Sequence, residues 1–277
     1  MNTQVLTGDC RKILPTLPAG SAQMSVTSPP YWGLRDYGEG QIGLEERLED
    51  FIGELVGVFR EIRRVLSDDG TLWIKLGDTY LGGRIGGVGK SSILGSHRNH
   101  EAVRRAAEAR PGKRHRSVEG LAPKNLLGIP WRVALALQAD GWILRSEVIW
   151  HKPCPLPESA QDRPSRAHEQ LFLFAKSARY FYNADAIREP LAAKTATTWG
   201  SGRRFDGDRD DRNAASNWAR SSAAIRRPNL DAGGKLKGAN KRTVWTIAPE
   251  PDKACPHTSR FPGGLVEPCI LAGSAPG

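Results

Sequence analysis

Apolar residues at Leu48, Phe51, Ile52, Leu55, Val56, Phe59, Ile62, Val65 and Leu66 recur at the three- and four-residue intervals of one helix face. The spacing predicts an amphipathic helix, and Gly70 at the close of Ser67–Gly70 predicts where it stops. On its N-terminal side, Gln23–Ser28 (QMSVTS) reads as a short buried strand. Pro29 and Pro30 end it, because proline has no N–H to give to a ladder. On its C-terminal side, Thr71–Leu76 (TLWIKL) reads as a second strand. Strand, helix and strand in that order predict parallel neighbours joined by a crossover helix.

The pattern resumes at Ile129–Ala139 (IPWRVALALQA), a second helix with Pro130 in its tolerant first turn and Gly141 beyond its end. Trp142–Trp150 and Glu169–Lys176 read as two more strands, and the proline-rich segment between them is too long for a tight hairpin. Thr243–Pro249 is a short late apolar stretch. Phe261–Gly273 reads as a helix weakened by Gly263, Gly264 and Pro268. Gly82–Arg116 and Ala192–Arg242 carry few large apolar residues and many basic ones, so neither can bury much surface.

The 277 residues suffice for one large α/β domain or two small ones. The formal charge of +10 points to a polyanionic partner, with nucleic acid ahead of an anionic membrane surface. No apolar run approaches the about 18 residues needed to span a bilayer, and the N-terminus lacks a signal-peptide pattern. The four cysteines are scattered and form no C-x-x-C, as expected of free thiols in a cytoplasmic protein.

Three stretches invite chemistry. Gly82–Ser92 resembles a phosphate loop, but the position five before Gly89 is Arg84 where that pattern needs glycine. Cys154 in Lys152–Pro155 could be a nucleophile, yet it sits in a proline-rich loop with no glycine-rich approach and no Gln or Ser after it. Ser28–Tyr31 (SPPY) is different. The exocyclic amine of a base is a poor nucleophile, since its lone pair is delocalised into the ring. A site that methylates it must accept hydrogen bonds from the NH₂ and hold the ring flat. A serine hydroxyl and a proline carbonyl accept, proline fixes the backbone, and an aromatic ring stacks. Ser28, Pro29, Pro30 and Tyr31 supply all three at the carboxyl end of a strand, where open α/β sheets bind their ligands. The plainer alternative is a Pro-Pro turn with incidental aromatics.

Val26–Tyr31 resembles the signature of cytosine-N4 DNA methyltransferases, in which a hydrophobic residue precedes Thr-Ser-Pro-Pro-Phe/Tyr. Adenine-N6 enzymes more often begin that tetrapeptide with Asp or Asn. The likeness continues through TGDCRKILPTLP, YWGLRDYGEGQIGLE, GTLWIKLGDTY, KRTVWTIAPEP and FPGGLVEPCILAGSAPG, among others, and spares only Gly82–Gly120 and Ala192–Ala239. It is closest to the permuted group, in which the catalytic motif comes first and the cofactor motif last.

The resemblance implies an α/β fold of the S-adenosylmethionine-dependent methyltransferase type, Rossmann-like, with a mixed sheet and a permuted order. Residues 1–190 would be the N-terminal part of the catalytic domain, with a basic insertion at about 82–120. Residues 191–242 would be a variable basic target-recognition or linker region, and 243–277 the start of the cofactor-binding part. Ser28, Pro29, Pro30 and Tyr31 would hold the target amine. Asp9, His257, Phe261 and Pro262 would lie on the S-adenosylmethionine side, although the residues between His257 and Phe261 depart from the usual pattern. Arg203, Arg204, Arg209, Arg212, Arg220, Arg226 and Arg227 would help dock and read double-stranded DNA, the alternative being a solvated linker. No metal is called for.

In the resembled enzymes ILAG-S-x-P-G leads into an apolar strand and a glycine-rich Asp-Pro-Phe-x-Gly-Ser-Gly turn that binds the cofactor. The sequence stops at Gly277, so the expectation is a fold cut short at its C-terminus, from a fragment, a truncated product or one half of a split enzyme. The expected function is site-specific methylation of DNA, cytosine N4 before adenine N6. A cognate restriction endonuclease and a complementing C-terminal segment are the further partners it implies. The rival reading is a catalytically inactive DNA-binding remnant.

Overall fold

The computed structural model of the protein describes residues 3–34, 40–82, 118–155, 157–191, 237–250 and 261–275. The basic insertion beyond Gly82 and most of the second basic region lie outside the described residues.

The chain forms two compact units, Met1–Tyr182 with Thr243–Gly277, and Asn183–Arg242. The first is built on five strands: β1 (Ala22–Thr27), β2 (Leu66–Leu76), β3 (Ile143–His151), β4 (His168–Ala175) and β5 (Val244–Thr246). They run in the order β1-β2-β4-β3-β5. Its helices are α1 (Cys10–Ile13), α2 (Leu48–Val65), α3 (Ile129–Ala139) and α4 (Gly263–Gly273). Strands β1 and β2 are parallel across the α2 crossover, as their order in the sequence predicts. The sheet as a whole is mixed: β4 runs antiparallel to both β2 and β3, while β5 is parallel to β3.

One boundary differs from the sequence reading. Helix α2 ends at Val65, and β2 begins at once at Leu66, which pairs with Ala22. Gly70 is therefore not a helix cap but part of the strand. Its value is its missing side chain, since a Cβ there would lie 2.9 Å from both Leu66 Cβ and Ser67 O and 3.1 Å from Gln23 O. The pairing register slips between Ala22 and Met24, which absorbs this close approach as a bulge.

Alternation along β2 divides its side chains between two layers. Leu72, Ile74 and Leu76 join Phe172 and Phe174 of β4 in the main core. There they meet Leu48, Phe51, Leu55 and Phe59 of α2 and Ile129, Val133, Ala134 and Leu137 of α3. Thr71, Trp73 and Lys75 take the other face, which α4 covers. Helix α4 comes so close that a Cβ on Gly273 would sit 2.8 Å from Thr71 Oγ1. Pro268 lies inside α4. The polar α4-facing positions of β2 and β4 are what the site is made from.

In the second unit, Glu189 and Ala239 exchange two backbone hydrogen bonds of 2.9 Å beside a 3-10 turn at Asp185–Ile187. Asp185 pairs with Arg188 and Lys237, and Glu189 accepts from Arg242 Nε at 2.8 Å.

Candidate active site

The chain leaves β1 at Thr27, and Ser28, Pro29, Pro30 and Tyr31 follow in irregular backbone at the carboxyl end of that strand. Two successive residues without an N–H prevent the ladder with β2 from continuing. The loop is then held from outside. Trp32 is buried and its indole N–H donates to the Glu45 carbonyl at 2.9 Å. The Gly33 N–H donates to the Gly43 carbonyl at 2.7 Å. Gly43 has φ +101°, where glycine is favoured, and a Cβ there would press on the Tyr31 carbonyl at 3.1 Å and Pro30 Cβ at 3.3 Å.

Tyr31 turns inward. Its hydroxyl donates to Glu169 Oε2 at 2.7 Å. Its ring lies so close to Gly77 that a Cβ there would be 2.4 Å from Tyr31 Cε2. Lys75 Nζ sits 5.2 Å from the ring centroid and 2.7 Å from Glu169 Oε2. Lys152, just past β3, donates to Glu169 Oε1 and stands 4.6 Å from the Trp150 ring centroid. Lys75 lies 5.1 Å from the same ring. One largely buried carboxylate thus gathers a phenol and two ammonium groups, with the Trp150 ring packed against the ammonium groups.

These charges set one another. Burial pushes the Glu169 carboxyl up, but the Lys75 and Lys152 ammonium groups more than reverse that and hold it at about 2. Burial also pulls Lys75 below its ordinary value, against the single carboxylate it shares. For Tyr31, burial, then the Glu169 charge and hydrogen bond, carry the phenol well above its ordinary value, while a hydrogen bond with Ser28 opposes them. The folded site therefore holds a neutral phenol beside an ionised carboxylate.

Phe261 meets this cluster from the α4 side. It lines a small, mostly apolar cavity with Val26, Lys75, Leu171, Leu265, Val266 and Cys269. Pro262 is buried and serves as the N-cap residue of α4. Thus Phe261 is brought to Lys75 and to Val26, two positions before Ser28. Asp9 is placed differently. It caps α1 through a 2.9 Å bond from the Arg11 N–H, and its carboxylate is engaged by the Arg11 guanidinium, which also reaches Glu54 of α2. No contact among the described residues joins Asp9 to Phe261. His257 and the seven arginines from Arg203 to Arg227 lie outside the described residues.

A further carboxylate organises the rim. Asp78 follows β2, and its side chain is only 4% exposed. Its oxygens accept the N–H groups of Gly128 at 3.1 Å and Ile129 at 3.0 Å, at the free N-terminus of α3. Glu169, Lys75, Lys152, Gly77 and Asp78 were not singled out by the sequence. The available signals were a lysine inside the apolar run TLWIKL and a glutamate opening the strand at Glu169. Nothing local links them, because strand pairing across about a hundred residues puts them together.

A protein-family profile described as DNA methylase, N6_N4_Mtase, matches residues 22–277. The chain belongs to this family. The DNA methylases most similar in sequence include the type II methyltransferase M.Cfr9I of Citrobacter freundii, 41% identical over 98% of this chain and 72% of that protein. M.XycI of Xanthomonas campestris pv. cyanopsidis is 42% identical with the same coverage. M.SmaI of Serratia marcescens is 39% identical over 99% of this chain and 76% of its own length. Among solved structures, the PvuII DNA methyltransferase (cytosine-N4-specific) is similar in fold, with TM-score 0.55 and 14% identity, over 97% of this chain and 69% of that one. The DNA methylase fold explains the mixed sheet, and these enzymes act on DNA with S-adenosylmethionine as methyl donor.

The described residues fit one part of that donor. Phe261, with Val26 near the end of β1, presents an apolar surface suited to an uncharged portion of the molecule.

Proposed function

We propose that this DNA methylase modifies cytosine at N4 within a short DNA sequence, as the modification enzyme of a cytoplasmic restriction-modification system. Ser28 carries the choice of base: a hydroxyl stands where an Asp or Asn would suit adenine N6 chemistry. The placement of Ser28–Tyr31 at the end of β1, clamped by Gly43 and Glu169, supports it.

In this reading the target base leaves the duplex, because its amine is otherwise paired. Tyr31 presents a ring held from behind by Gly77, so the base stacks on a fixed plane. The Ser28 hydroxyl and the Pro29 carbonyl accept from the two amine hydrogens and draw the nitrogen toward a tetrahedral form. Phe261 and Pro262 wall the donor's side. When bound, S-adenosylmethionine supplies an electrophilic methyl group. The residues' contribution is orientation and polarisation, with no covalent enzyme intermediate and no metal. Arg203, Arg204, Arg209, Arg212, Arg220, Arg226 and Arg227 would contact DNA phosphates and bases, on the strength of composition alone.

Mass spectrometry of nucleosides from DNA methylated by the full-length enzyme tests the chemistry. N4-methylcytosine is the expected product, and N6-methyladenine as the sole product would overturn the assignment.

A further inference from the structure

The Glu169 cluster goes beyond the four residues that grip the amine. A carboxylate with only 17% of its side chain exposed, beside two ammonium groups, is an expensive thing to bury. Apolar side chains would fill the same space at less cost. The β2–β4 register puts Lys75 opposite Leu171, and the β3–β4 register puts Glu169 opposite Trp150, so the charges sit at strand ends on the face that carries Phe261. Glu169 Oε1 serves Lys152 and Oε2 serves Lys75, which leaves Oε2 one further lone pair. That position is taken by the hydroxyl of Tyr31, 138 residues away in sequence.

We infer that Glu169 is a positioning residue for the catalytic loop: it fixes the Tyr31 hydroxyl and so the plane of the ring on which the flipped base stacks. Lys75 and Lys152 hold the carboxylate ionised and immobile. An aromatic ring anchored only at Cβ can still turn about its two side-chain torsions. Gly77 packs close against the Cδ2–Cε2 side of the ring, and the Glu169 bond pins the far end, so together they restrict its rotation. Glu169 touches neither base nor donor, and its effect passes through Tyr31. This rests on the reading of Ser28–Tyr31 as the amine-gripping loop.

The test is a double-mutant cycle in the full-length enzyme, with Tyr31→Phe, Glu169→Gln and their combination. Tyr31→Phe removes only the hydroxyl and leaves the carboxylate with its two ammonium partners, so it reports on the bond even if Glu169→Gln folds poorly. Each single change is expected to lower kcat about tenfold while KM for DNA moves less than about twofold, and the double variant should be no slower than the slower single one. An ultraviolet phenolate titration adds a readout independent of turnover. One tyrosine of the wild type should resist ionisation until the protein unfolds, and in Glu169→Gln it should ionise at lower pH. Unchanged kcat in Tyr31→Phe, or fully multiplicative losses in the double variant, would overturn the inference. Ser28→Ala separates the two levels. If it abolishes turnover while Tyr31→Phe leaves kcat unchanged, only the positioning role fails. If Ser28→Ala is also near normal, the loop itself has been misassigned.

Discussion

At the scale of single residues, the site is governed by one carboxylate. Glu169 has an ordinary value of 4.5 and is held at about 2 in the fold by Lys75 and Lys152. Between those values the unfolded chain binds a proton that the folded chain refuses. The stability Glu169 contributes is therefore complete above 4.5 and is lost as pH falls toward 2. Urea unfolding at a series of acidic pH values should show wild-type stability falling through this window. Glu169→Gln, which has nothing to titrate there, should start less stable and fall less steeply. Parallel slopes for the two proteins would mean that the carboxylate is not held down.

At the scale of elements, Asp78 joins β2 to α3 without being part of either. Two N–H groups at the start of a helix have no partner within it, and Asp78 accepts both. Asp78→Ala should lower stability by about 1–2 kcal/mol, the range for a lost N-cap, as measured by urea unfolding at neutral pH. A change near zero would show water taking over the cap. Elements were also where the sequence was most readable. Helix α3 spans the predicted residues and β1 lies within a residue of expectation, since each is set by local spacing and by prolines or glycines at its ends, and the apolar spacing of α2 marked that helix though not its stop. The start of β2 was missed because Gly70 looks like a helix stop. What it answers to is Gln23 and Leu66, visible only once β1 lies alongside. The Ser28–Tyr31 loop was legible because its groups are consecutive. Lys75, Lys152 and Glu169 were not, since each looks ordinary until β4 runs antiparallel between β2 and β3.

At the scale of the whole molecule, the excess of basic residues gives +10 overall and suits a polyanion such as DNA. Affinity for duplex DNA should fall steeply with salt. With about six or more phosphate contacts the loss would be about a thousandfold between about 50 and 200 mM salt, read as the slope of log K against log salt in a titration. A flat dependence would remove the basic segments from the binding account. No helix among the described residues is long and apolar enough to cross a membrane.

The central pairing of the sheet, β2 with β4, also has a bearing on how the protein comes to be made. Thr71 opposes Ala175, and Leu76 opposes Gln170, so the ladder cannot close until the ribosome has delivered the second partner about a hundred residues later. Pairings of such long separation are slow, because the loop entropy is spent before the contacts repay it. During that interval β2 is an apolar strand with an open edge, and Lys75 and Tyr31 wait for a carboxylate not yet synthesised. The Glu169 cluster thus cannot form until β4 has left the ribosome.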